Sequence, residues 1–126
     1  MTLQVSRYLL GTAALLSALG AAIHAGAFKK AASAIEASDL PRFYASSSKA
    51  LWLADSATLL ILAFIFGVIA ARPSLASAGL LFLLALVPAA TAILIYTFVG
   101  NFPAAHLLLT IAVLVFLAAL KFKGAA

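Results

Sequence analysis

Residues 50–71 read ALWLADSATLLILAFIFGVIAA, and Asp55 is the only charged residue in the run. A helix of this length rises about 33 Å at ~1.5 Å per residue. That is enough to cross the ~30 Å hydrocarbon core of a bilayer. Lys49 precedes the run and Arg72-Pro73 follows it. Cations therefore mark both ends, and a proline stops the helix. The stretch reads as a transmembrane helix.

Working outward, three further stretches meet the same requirement. Residues 8–28 lie between Arg7 and Lys29-Lys30, residues 75–99 end at Gly100-Asn101, and residues 102–120 are closed by Lys121 and Lys123. Asn101 is placed to cap the last helix, with Pro103 in its first turn, and Gly100 suits the end of the helix before it. The links after the second and third spans are short, so spans two, three and four are expected as antiparallel neighbours. The expected fold is an all-α integral membrane protein, an up-down four-helix transmembrane bundle in a single domain covering 1–126. Its one long connection, 29–49, is partly helical: the alanine-rich stretch 29–36 favours helix, and Ser38 or Asp39 before Pro41 marks a fresh start. The second helix is expected to begin near Leu40 and project beyond the bilayer.

Composition agrees. The chain has 126 residues, 67% hydrophobic and 9% charged, with a mean hydropathy of +1.24. A soluble domain is about half apolar and a quarter charged. An ordinary soluble enzyme, a disordered tail and a disulfide scaffold are excluded. With no cysteine, thiolate nucleophiles and thiolate metal sites are excluded too. The net charge of +5 sits at segment ends, where cations meet lipid phosphates, and no arginine-rich run interleaved with aromatics points to nucleic acid. The partner expected first is the lipid bilayer, with a homo-oligomer or a larger membrane complex as further partners. The alternative of a cleaved signal peptide, with Ala25-Gly26-Ala27 as its small-residue site, is opposed by the length of the run and by Ser17 and His24 within it.

Four spans put both termini on one face. Lys and Arg are evenly divided between the faces, but Arg7, Arg72, Lys121 and Lys123 cluster at span ends without an acidic neighbour. The termini are therefore expected in the cytoplasm, with the protein in the inner membrane.

Ionisable residues inside a span are costly and usually face a partner or a cavity. This chain has three: His24, Asp55 and His106. Counted from the loop-side boundary, each lies roughly 7–9 Å deep, and Tyr96 falls at the same level. Trp52 sits one turn above Asp55. A stripe of Ala13, Ser17, Gly20, Ala21 and His24 runs along the first span. His106, Thr110, Val113 and Leu117 align on the fourth. Four inward faces with one polar layer describe an open-topped pocket lined by Ser17, Gly20, Trp52, Tyr96 and Thr110. A carboxylate in mid-span costs about 2.5–3.5 kcal/mol, so Asp55 is expected to pair with at least one histidine.

Two imidazoles and a carboxylate suit a transition ion with an open position, so His24, Asp55 and His106 are the expected ligands of copper, zinc or iron. One alternative is haem b held between His24 and His106, with Gly20 giving the macrocycle room. Another is a metal-free histidine–aspartate pair doing acid/base work on a quinone or isoprenoid. The bland reading is an accessory or scaffold subunit of a larger membrane complex, in which the histidines and aromatics serve packing and the interface belt.

Overall fold

The structure, a computed structural model, describes residues 2–122, with Thr2 described by its backbone alone. Lys123, the expected outer flank of the last span, lies outside the described residues. Five α-helices follow one another: α1 (Thr2–Gly26), α2 (Phe28–Glu36), α3 (Arg42–Ala71), α4 (Ala78–Phe98) and α5 (Pro103–Lys121), with a 3₁₀ turn at Pro73–Leu75 before α4. Among the described residues there is no strand. Four helices are long and apolar enough to cross a membrane.

The helix ends follow local chemistry. α1 starts well before Tyr8 because its first turns are docked: buried Ser6 donates from Oγ to the Ala118 carbonyl at 2.9 Å, and Arg7 Nε donates to the Ala70 carbonyl at 2.8 Å. A turn at Ala27 separates α1 from α2. α2 buries none of its residues and leans on the start of α3, where Lys49 Nζ meets Glu36 Oε1 at 3.0 Å. Pro41 sets the start of α3. At 30 residues, α3 is about 45 Å long, so it overshoots a ~30 Å core as expected. α4 begins later than residue 75 because Pro73–Leu75 is taken by the 3₁₀ turn and Ser77 caps the helix, accepting from the Leu80 N–H at 3.2 Å. Its end is closed by Gly100 at φ +90°, whose N–H reaches the Ile95 carbonyl at 3.0 Å; glycine takes that left-handed conformation without a Cβ clash. Pro103 opens α5, but Phe102 stands at the cap and makes no side-chain bond. Asn101 is not the cap: its side chain points to His106.

Packing departs from the expected neighbour order. α1 packs on α3 and on α5, and α5 packs on α4, whereas α3 and α4 form no comparable seam despite the short link between them. The order across the molecule is α3–α1–α5–α4. A short link constrains only two helix ends; which faces press together depends on where backbones can approach. Gly67 of α3 lies against Ala14 of α1, and Gly20 of α1 faces Leu107 of α5 and Leu59 of α3. The buried face of α5 is likewise small and branched, with Ala105, Ile111, Val115 and Ala118 fully buried. The stripe expected to face inward, His106, Thr110, Val113 and Leu117, is exposed. Small residues take the seams, as is usual where helices pack in an apolar medium. The central core joins Leu10, Leu62, Phe66, Leu81, Ile111 and Val115.

Candidate functional site

The polar side chains near the loop end gather into two separate clusters. The first lies between α1 and α3. His24 falls in the last turn of α1, where main-chain carbonyls lose their intrahelical partners. The Trp52 indole Nε1 donates to the His24 carbonyl at 2.8 Å. The same indole stacks on the His24 ring, with centroids 4.3 Å apart and planes inclined by 14°. One turn further along α3, buried Ser56 places Oγ 2.9 Å from His24 Nδ1 and 3.4 Å from the Trp52 carbonyl. All three groups are satisfied when the serine hydroxyl donates to the carbonyl and Nδ1–H donates to the serine oxygen. That tautomer leaves a lone pair on Nε2, and Nε2 makes no hydrogen bond among the described residues.

The second cluster lies between α4 and α5. His106 Nδ1 is 2.7 Å from the Tyr96 hydroxyl, and its Nε2 is 2.6 Å from Asn101 Oδ1. The amide oxygen only accepts, so Nε2 carries the proton and the phenol donates to Nδ1. Both ring nitrogens are thus occupied, on an exposed face of the molecule.

The expected convergence of His24, Asp55 and His106 does not occur in this structure. His24 turns to α3 and His106 to α4, and α3 and α4 share no comparable seam. Asp55 is exposed and joins no hydrogen bond or ion pair among the described residues; Lys49 pairs with Glu36 instead. No three His, Cys, Asp or Glu side chains among the described residues are grouped so as to hold a metal ion. The set of His24, Asp55 and His106 therefore supplies no common ligand shell for copper, zinc or iron. A haem between the two histidines is no better served, since a Cβ placed on Gly20 meets Leu107 Cδ2 at 3.0 Å and Leu59 Cδ1 at 3.4 Å. Gly20 lets helices approach, not a macrocycle.

The other expected pocket residues divide. Trp52 and Tyr96 each touch a histidine, in separate clusters and not around one pocket. Ser17 is buried and bonds within its own helix, to the Ala13 carbonyl at 2.8 Å. Thr110 is exposed and bonds the His106 carbonyl at 2.8 Å. Neither of these two lines a polar cavity.

Asp55 nonetheless occupies a telling position. It shares a face of α3 with Leu62, Phe66 and Ile69, at i, i+7, i+11 and i+14. Those three are 4%, 0% and 5% exposed, while Asp55 is open. Burial of this face of α3 stops below Asp55, although the adjacent Ser56 is buried against α1. Sequence reasoning missed Ser56 and misread Asn101 as a cap. The i, i+4 spacing of Trp52 and Ser56 was the available signal for the first.

The chain matches no known family model, curated protein or solved structure.

Proposed function

We propose that this chain is an up-down four-span protein of the inner membrane, with cytoplasmic termini, and that its loop end binds the polar head of a lipid-soluble small molecule such as a quinone or isoprenoid. The observation that carries this reading is the state of His24. Its ring is immobilised on one face by Trp52 and at Nδ1 by Ser56, while Nε2 is left without a partner among the described residues. A histidine oriented in this way presents one fixed acceptor, which is what the hydroxyl of a quinone in its reduced quinol form, or of an isoprenoid alcohol, requires. Asp55, open at the same end, supplies a second polar group, and the apolar surroundings suit the ligand's tail. The metal reading is not carried forward, because its ligand set is dispersed.

Trp52 is the sole tryptophan, so its emission reports this site alone. Titration of the reconstituted protein with a short-chain quinol should quench that emission saturably. His24→Ala should weaken the apparent affinity about tenfold, the equivalent of ~1.4 kcal/mol. Linear, collisional quenching that is identical in both proteins would refute ligand binding at His24.

That refutation would favour the second reading, an accessory or scaffold subunit. One observation already speaks for it: each histidine ties a pair of helices, α1 to α3 through His24 and α4 to α5 through His106. On that reading the clusters are interhelical ties near the loop end.

A further inference from the structure

At the opposite end of the molecule, α1 and α3 line a shallow, open groove of about 600 Å³. Its floor is made of small residues, Gly11 and Ala18 from α1 with Ala63 and Gly67 from α3, and Arg7 and Tyr8 stand at its mouth. We propose that this groove holds one acyl chain of an anionic phospholipid, with the phosphate bound by Arg7. The proposal rests on the membrane reading above but not on the loop-end ligand.

Three observations converge. The first is the arginine's geometry. Arg7 Nε is spent on the Ala70 carbonyl at 2.8 Å, in the last turn of α3, where unpartnered carbonyls favour a cation. The guanidinium is thereby anchored, and its two terminal amino groups remain as a fork suited to a phosphate. The second is charge. The chain has only three acidic residues, Glu36, Asp39 and Asp55, and none belongs to this end. Among the described residues no carboxylate pairs with Arg7 or the neighbouring Arg72 and Lys121, so a lipid phosphate complements their charge. The third is length. From Arg7 to Ala18 the groove follows eleven residues of α1, about 16 Å, which is roughly half of a ~30 Å hydrocarbon core. It runs from headgroup level to mid-bilayer, the reach of one acyl chain. A second copy of the chain packed here about a two-fold axis would set Arg7 against Arg7, so charge favours the lipid.

The test uses the full chain, reconstituted in mixed phosphatidylglycerol–phosphatidylcholine vesicles, extracted into neutral detergent and examined by native mass spectrometry. The wild type should retain one phosphatidylglycerol per chain in preference to phosphatidylcholine. Arg7→Gln should reduce retention about tenfold through loss of the charged fork. Gly11→Leu should do the same by filling the groove; a Cβ at Gly11 meets nothing within 4 Å, so its unfolding midpoint should match the wild type. Equal retention of both lipids, unchanged retention in both variants, displacement by inorganic phosphate alone, or conversion of a wild-type dimer to monomer by Gly11→Leu would each overturn the lipid site. Release of the protein from membranes by alkaline carbonate would instead overturn the membrane reading itself.

Discussion

Trp52 and Ser56 grip His24 by independent means, and the two can be separated. The indole N–H bonds the His24 main-chain carbonyl, whereas Ser56 bonds the ring. Ser56→Ala should therefore cost about 0.5–1.5 kcal/mol, the usual net worth of such a bond, measured by reversible unfolding in mixed micelles. The Trp52 indole N–H should stay protected from hydrogen exchange in that variant. Loss of protection would mean that the stack depends on Ser56 and that the two contacts are one unit. His106 differs from His24 in having both nitrogens occupied. Residue type and depth alone made the two histidines equivalent; their partners differ, and only His24 keeps a ring nitrogen without a partner among the described residues.

The elements owe their seams to small residues. Gly20 lies where α1 meets both α3 and α5, and a Cβ there would touch Leu107 Cδ2 at 3.0 Å. That atom is the far end of a flexible side chain and can yield by rotation. Gly20→Ala should thus cost less than ~1 kcal/mol, while Gly20→Val should cost about 1–3 kcal/mol as an overpacked seam. Equal costs for the two, in the same unfolding measurement, would show that the α1–α5 contact is not limited by volume at this point. The same principle explains the exposed stripe on α5. Helical periodicity identifies faces, but it ranks them correctly only when water drives burial; between helices in lipid the ranking follows backbone approach.

For the whole molecule, stability hangs on a core centred toward the terminal end, where Phe66 is 0% exposed among Leu10, Leu81 and Ile111. In a water-soluble protein Phe→Ala at such a site costs about 3–5 kcal/mol, part of it from transfer of the ring out of water. On the proposed membrane reading the unfolded reference is also apolar, so mainly the packing part remains. Phe66→Ala should cost less than ~3 kcal/mol in mixed-micelle unfolding; a value within the aqueous range would mean that the core is hydrated when the helices separate. The loop end, with Asp55 exposed above the buried face of α3, contributes less to this core.

What the sequence determined by itself was one-dimensional. The number of long apolar helices and the overshoot of α3 follow from run length and punctuation. Helix rotation and neighbour order were decided only in three dimensions. Each depends on which surfaces fit at close range, as Gly20 fits Leu107 and Gly67 fits Ala14. A shared depth does not imply a shared direction, and so three ionisable groups at one level were parted between two helix pairs and an open face.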